Sequence, residues 1–347
     1  MPRHSTRPRG DRCPPRFEPK LLSPLDAAPY SRMTSCSTGP YPPDGVAGSA
    51  RELTYVLVTP ARNEAAFIER TIRSVAAQTI RPLRWVIVSD GSTDGTDQIV
   101  QRYAAQHRWI GLLRLPERQG RHFAGKVHAF NAGYTEVRHL PYEIIGNLDA
   151  DITFDGDYLA YLLSKFTDNP RLGVAGTPFR EASEQYDYRF VSTDHVSGAC
   201  QLFRRACFEA IGGYVPLPAG GIDLAAVLHA RMKGWHTRTF VEKTCEHHKK
   251  TQSGKHASLI ATFNSGYHDY LMGSHPVWQV FRSTYQMSKR PVLLRGSLLL
   301  LGYLWAMLRR ADRSLSREVI AFRRTEQTYR LRQFLLKIFV RRASRSS

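Results

Sequence analysis

The 347-residue chain has only five cysteines, at positions 13, 36, 200, 207 and 245, and no two of them form a C-x-x-C pair. An odd, scattered set speaks against a disulfide framework and against a cysteine zinc site, so a reducing compartment fits best. Acidic residues are also scarce: 30 Asp and Glu stand against 49 Lys and Arg, which leaves a net charge of +19. No apolar run reaches the roughly 20 residues that a spanning helix needs. The apolar stretch from Gly296 to Leu308 falls short; extended back to Pro291 it takes in Arg295, which leaves a single span only as the alternative reading. The first twenty residues carry prolines and basic residues but no apolar stretch of signal-peptide length, so the expectation is a chain that stays inside the cell. There is no internal repeat.

What is present suffices for a folded enzyme, since 42% of the residues are hydrophobic. Residues 1–50 are rich in Pro, Arg, Ser and Gly and poor in large apolar side chains, a composition that predicts a disordered arm. From Leu53 the pattern changes. LTYVLV, RWVIVS, IGLLRL and YEIIGNLD are short β-rich apolar runs, and they alternate with the helical segments FIERTIRSVAAQT, GTDQIVQRYAAQH and KVHAFNAGYTEVR. That alternation predicts an α/β fold with a mostly parallel sheet covered on both faces. Beyond residue 151, LGVAGTPF and SGACQLF read as strands, CFEAIGG as a short helix, and IDLAAVLHARMKGW as a helix ending near Gly234. The expected organisation is an arm over 1–50, a catalytic domain over 51–255 and a basic helical extension over 256–347.

Ligands of parallel α/β sheets bind beyond the carboxyl ends of the strands, so polar residues gathered there stand out. Three such groups follow in succession. Thr59-Pro60-Ala61-Arg62-Asn63-Glu64 comes after the first strand, where a helix cap with an acidic first turn is the plain alternative. Asp90-Gly91-Ser92-Thr93-Asp94-Gly95 comes after the second. Asp90 there can accept hydrogen bonds from a nucleobase or ribose, or the segment can be a simple turn and helix cap. An EF-hand reading is excluded, because the twelfth position holds Gln101 where a bidentate Glu is needed. Asp149-Ala150-Asp151 ends the fourth strand. Two carboxylates one residue apart repel each other, and a divalent cation, Mg2+ or Mn2+, is their natural partner; otherwise they form a solvated strand end. Asp223 opens a later helix, as a general base or as an N-cap, and His247 and His248 are either metal ligands or a solvated pair. Gly120 to Val127 mimics a phosphate-binding P-loop, but Val127 occupies the position of the hydroxyl residue that binds magnesium.

In order, the motifs P-A-R-N-E, D-G-S-T-D, G-K-x-x-A-x-N-x-G, D-A-D, G-A-C-x-x-x-R-R and G-G-I-D run from residue 53 to about 250. The series resembles the inverting family 2 glycosyltransferases with a GT-A fold. That resemblance implies that Pro60, Arg62, Glu64 and Asp90 line a nucleoside pocket, and that Lys126 sits near the donor. It also implies that Asp149, Ala150 and Asp151 meet ribose and metal, that Gly198 and Ala199 face the donor sugar, and that Asp223 is the base. The donor would be a nucleotide sugar, with a UDP-sugar expected. The family more often shows Glu-Asp where this chain has Ile222-Asp223, which puts the acceptor contacts in question. No Q-x-x-R-W motif of processive synthases follows, which favours transfer of single sugars.

The tail adds a partner. Residues 276–347 hold sixteen Lys and Arg but three Asp and Glu, so +13 of the charge lies there, and an anionic surface is implied. Residues 318–342 interleave apolar and basic side chains in a way that suits a helix in a membrane interface, or equally one packed on the domain with a solvated basic face. Looser resemblance of the tail to bacterial enzymes of extracellular polysaccharide or lipid-linked oligosaccharide assembly implies a glycan or polyprenyl-linked acceptor at the inner face of the cell membrane. The rival readings are a nucleic-acid-binding protein acting through its basic tail and a degenerate P-loop nucleotidase. No known nucleic-acid module is present, so no nucleic-acid partner is expected.

Overall fold

The computed structural model describes residues 53–117, 123–181, 184–185, 192–249, 255–288 and 292–343, so the arm expected over 1–50 lies outside the described residues. The expected alternation forms as β1 (Tyr55–Ala61), α1 (Ile68–Ala76), β2 (Arg84–Asp90), α2 (Thr96–Gln106), β3 (Ile110–Leu115), α3 (Phe123–Val137) and β4 (Ile144–Leu148). There follow β5 (Ile152–Thr153), α4 (Tyr158–Asp168), β6 (Leu172–Gly176), β7 (Phe179–Glu181), β8 (Glu184–Gln185), β9 (Cys200–Arg204), α5 (Arg205–Ala210), α6 (Ile222–Met232), β10 (His236–Thr239) and β11 (Cys245–His247). The chain then turns helical in α7 (Lys255–Leu271), α8 (Pro276–Met287), α9 (Leu294–Leu308) and α10 (Arg317–Ala343).

Seven strands form the main sheet in the order β10-β6-β9-β4-β1-β2-β3, and a smaller sheet runs β5-β11-β7-β8. Within the large sheet β9 alone runs antiparallel, pairing with β4 and β6, which makes it mostly parallel and mixed. The period-two alternation of strand side chains splits the core in two. Leu57, Trp85 and Ile87 face α1 and α4 with Ile68, Ile72 and Tyr158. Val56, Val58, Val86 and Val88 face α3 and α6 with Phe130, Phe208 and Val227. Helix α1 buries Ile68, Thr71, Ile72 and Val75, positions three and four apart on one face.

Two expectations shift. LGVAGTPF is not one strand: it divides at Pro178, which has no N–H for a ladder, so β6 stays in the main sheet while β7 joins the smaller one. The helix expected at CFEAIGG begins earlier, at Arg205.

Helices α7 and α9 cross at glycines. A Cβ on Gly302 would lie 2.0 Å from the Phe263 carbonyl oxygen, and one on Gly266 would lie 1.9 Å from that of Leu299, so this approach requires glycine on both helices. The described first half of α10 follows the packed alternative. Val319 is buried, and Glu326 makes a two-pronged contact with Arg231 of α6 at 2.7 and 2.9 Å. Arg330 reaches Asp194 at 3.0 Å. Among the described residues no helix is long and apolar enough to cross a membrane.

Candidate active site

The strand ends build the site. In the parallel part of the sheet, β1, β2 and β4 stop at the same edge, which brings Pro60 and Ala61, Asp90, and Asp149 to Asp151 together. Because β9 runs the other way, it starts at that edge. Leu148 pairs with Cys200, and the Asp149 N–H donates to the Ala199 carbonyl at 2.9 Å. The antiparallel strand therefore sets Ser197, Gly198 and Ala199 beside the paired aspartates.

A cavity of about 390 Å3 is lined by Pro60, Arg62, Glu64, Asp90, Lys126 and Asp149 to Asp151, with Ala61 and Ala129. Its walls are tied by the two loops expected to form it. The Asn63 side chain, on a residue with φ of 56°, accepts from the Thr93 N–H at 2.8 Å, and the Ser92 hydroxyl accepts from the Asn63 N–H at 3.1 Å. The Thr96 hydroxyl accepts from the Glu64 N–H at 2.9 Å, and Asp94 accepts from the Ala65 N–H at 3.0 Å. The Asp-Gly-Ser-Thr-Asp segment thus serves as both turn and cavity wall. Asp94 and Thr96 stitch the turn to the first loop, with no side-chain cap on α2, while Asp90 faces the cavity with Arg62 4.0 Å away. Helix α1 takes no side-chain cap, and Glu64 instead pairs with Lys249 from beyond β11.

A second cavity of about 360 Å3 adjoins the first and shares Lys126 and Asp149 with it. Its other walls include Asn147, Phe179, Glu181, Gly198, Ala199, Tyr214, Asp223 and His247. Asp223 does not cap α6. Its Oδ2 accepts from the Gly198 N–H at 3.2 Å, and a Cβ on Gly198 would come within 3.1 Å of the Asp223 Cβ, so glycine is what lets the loop approach this close. The Asn147 side chain donates to the Gly198 carbonyl at 2.7 Å and fixes the same loop. Asn147, Phe179, Glu181 and Tyr214 carried no signal in the sequence, because only the fold brings them here.

Charge is concentrated where the cavities meet. Lys126, in the first turn of α3, donates to Asp149 Oδ1 at 2.5 Å. Loss of water alone would depress the Lys126 ammonium, but Asp149 beside it, with Asp223 and Asp151 near, holds its pKa above the ordinary lysine value. Loss of water pushes the Asp149 carboxyl up; Lys126 opposes that rise and Asp151 adds to it. The histidine pair separates. His247 Nε2 lies 3.2 Å from Asp151 Oδ2 and its Nδ1 2.8 Å from Glu181 Oε1, and its hydrogen bond to Asp151 raises the imidazole pKa. His248 turns away: its ring is 2.8 Å from the Thr153 hydroxyl and lines neither cavity. Val127 is fully buried in the core, so the P-loop mimic has an apolar side chain packed away where a hydroxyl would be needed; its Gly120 to His122 lie outside the described residues.

Residues 56–216 match the family model described as Glycosyl transferase family 2. This segment is a family 2 glycosyltransferase domain. Across 117 residues the chain is 31% identical to the poly-beta-1,6-N-acetyl-D-glucosamine synthases of Staphylococcus epidermidis and of Staphylococcus aureus strain COL, covering 33% of this chain and 26% of each relative. The chain spans about a quarter of the length of the curated relatives it matches. A mannosyltransferase from Pyrobaculum calidifontis, solved with GDP-Man and Mn2+, shares the fold with a TM-score of 0.51 at 20% identity, covering 84% of each chain. The glycosyltransferase domain thus sits on a GT-A-type sheet, with both cavities at the strand ends.

Whether this site suits a divalent cation follows from its donors. Among the described residues no group of three or more His, Cys, Asp or Glu is gathered closely enough to hold a metal. Asp151 and His247 make contact, with Asp149 near enough to perturb both Lys126 and His247. The two carboxylates fit an ion such as Mg2+, which typically takes one or two carboxylates and fills the rest of its shell with substrate phosphates and water, while an imidazole ligand would favour a transition metal over Mg2+.

Proposed function

We propose that this chain transfers a single sugar from a nucleotide-sugar donor to a hydroxyl acceptor with inversion at the anomeric carbon. The observation that carries the reading is the pair of joined cavities: a nucleoside-sized wall with Arg62, Glu64 and Asp90 on one side, Asp223 on the other, and Lys126 with Asp149 between them. A donor laid across both would place its base and ribose by Asp90, its diphosphate by Lys126 and its sugar by Gly198 and Ala199.

Asp223 takes the proton of the acceptor hydroxyl, the oxygen attacks the anomeric carbon, and the bond from that carbon to the diphosphate breaks with its electron pair leaving on the nucleoside diphosphate. The Gly198 N–H holds the Asp223 carboxylate in place, and Lys126 keeps a positive charge where the diphosphate leaves. Asp151, with Asp149 and His247, would hold Mg2+ or Mn2+, which when bound neutralises the charge growing on the leaving group. His248 is not needed for that role.

The names of the curated relatives favour N-acetylglucosamine as the first donor sugar to try, and the basic tail favours a glycan or lipid-linked acceptor at the inner face of the cell membrane. The test is a thermal-shift and transfer screen of UDP- and GDP-sugars with Mn2+, followed by determination of product length and anomeric configuration. Inversion with one sugar added agrees with the reading. Retention of configuration, long polymer, or nucleoside triphosphate hydrolysis without sugar transfer would each refute it.

A further inference from the structure

Helix α9 buries Gly296, Leu299, Gly302, Tyr303 and Ala306 against its neighbours. On its other side Leu294, Leu301, Trp305 and Leu308 are 42%, 54%, 46% and 74% exposed. Their spacings of seven, four and three residues, with half-buried Leu298 completing the row, place them on one face of the helix. The row is about 21 Å long at the rise of an α-helix. Exposed Val292 and Leu293 extend it just ahead of the helix. A soluble surface rarely leaves so many large apolar groups contiguous without a partner for them.

The flanking charges point to the partner. Helix α9 contains no acidic residue; exposed Arg295 lies near its start, and exposed Arg309 and Arg310 lie just beyond its end. The Arg309 guanidinium sits 4.5 Å from the centre of the Trp305 ring, so an amphipathic ring and a cation share the same boundary. At 15 residues the helix is too short to cross a hydrocarbon layer of about 30 Å. A second copy placed face to face would bring arginine ends against arginine ends in either orientation, and like charges oppose that pairing. An anionic bilayer offers apolar depth to the leucines and negative charge to both arginine ends.

We infer that the exposed face of α9 is the docking surface for an anionic phospholipid bilayer, with the helix lying in the headgroup plane. This deepens the reading of a membrane-facing transferase and relocates the contact from the tail helix expected from composition to the one before it. The first half of α10 is held on the domain by the Glu326–Arg231 and Arg330–Asp194 pairs.

Sedimentation of the full chain with phosphatidylcholine vesicles, with and without phosphatidylglycerol, tests this without turnover, so its outcome is independent of whether sugar transfer is found. Binding is expected only with phosphatidylglycerol, and it should weaken as salt rises. Leu301→Glu with Leu308→Glu should cost at least about tenfold in vesicle affinity, and Arg309→Gln with Arg310→Gln about thirtyfold, at about 1 kcal/mol for each arginine. Quenching by brominated acyl chains, read as the difference between wild type and Trp305→Phe, should show Trp305 entering the bilayer, and it does not depend on how the glutamate variant folds. No quenching of Trp305, or unchanged binding by a glutamate variant with a native melting curve, overturns the inference. So does a wild-type dimer that the glutamate variant converts to a monomer in the absence of vesicle binding, because the face would then join two copies.

Discussion

Asp223→Asn separates chemistry from assembly of the site. The amide has nearly the shape of the carboxylate, and its carbonyl oxygen can keep the Gly198 N–H contact seen at 3.2 Å. What it loses is the capacity to accept a proton. General-base assistance is typically worth 10²–10⁴-fold, and at about 1.36 kcal/mol per factor of ten the barrier should rise by about 2.7–5.4 kcal/mol. Asp223 lines only the second cavity, while Arg62, Glu64 and Asp90 line the first, so nucleotide binding should be largely kept, any change arriving through Lys126, which lines both cavities and whose charge Asp223 helps to hold. Initial rates at saturating donor give the first quantity, and calorimetric titration with the nucleoside diphosphate gives the second. Turnover within about threefold of wild type would remove Asp223 from the proton transfer, given the usual size of that effect. Loss of nucleotide binding in step with turnover would show that the residue holds the pocket together instead.

Four further outcomes follow from the same geometry. Glu326→Gln breaks the two-pronged contact with Arg231, whose guanidinium also holds the Asp194 carbonyl and the Thr237 hydroxyl; because 14% and 21% of the two side chains remain exposed, the cost should be about 1–2 kcal/mol, seen as a lower Tm. Gly302→Ala forces a methyl to within 2.0 Å of the Phe263 carbonyl and should cost about 1–3 kcal/mol or more, measured by chemical denaturation. Removal of divalent cations by chelator should abolish transfer, and Mn2+ should restore it; full activity in excess chelator would exclude a metal. Burial depresses the His195 imidazole, with Asp223 opposing and Arg231, Arg323 and Arg330 reinforcing that shift, so the unfolded chain binds more protons below the ordinary histidine value of about 6.5. Stability should therefore fall as pH drops through and below that value, and the fall should be smaller in His195→Gln, read from Tm against pH.

The central strands were legible because each is a run of buried apolar residues between helices with one apolar face, and that pattern survives whatever the chain packs against. The smaller sheet was not. Strands of two or three residues such as Ile152–Thr153 and Cys245–His247 are too short for alternation to show, and they exist because their partners hold them. Residues directly after strands were also legible, since Asp90 and Asp149 to Asp151 must emerge at the ligand-binding edge. Glu181, Phe179 and Tyr214 could not be read, because each reaches the second cavity by a path that local sequence does not encode. The tail shows a third case. Composition marked it as basic and amphipathic, yet both apolar faces have helical spacing, and it is packing, through buried Val319 and the Glu326–Arg231 and Arg330–Asp194 pairs, that distinguishes the attached helix from the one with an open face.

A divalent cation at Asp151 would connect these pieces. Among the described residues Asp151 is hydrogen-bonded to His247 and Asp149 to Lys126, so these two carboxylates would be the protein's contribution to a Mg2+ shell. Mg2+ held there would draw the rest of its shell from water and from the oxygens of a diphosphate. Metal and donor binding must then be linked: whatever factor the metal adds to nucleotide affinity, the nucleotide adds to metal affinity. Lys126 stands at the junction of both cavities, so its charge lowers the cost of bringing a diphosphate up to two aspartates before any metal arrives. On this proposal the donor would complete the metal site, with Lys126 and His247 offsetting the charge of Asp149 and Asp151.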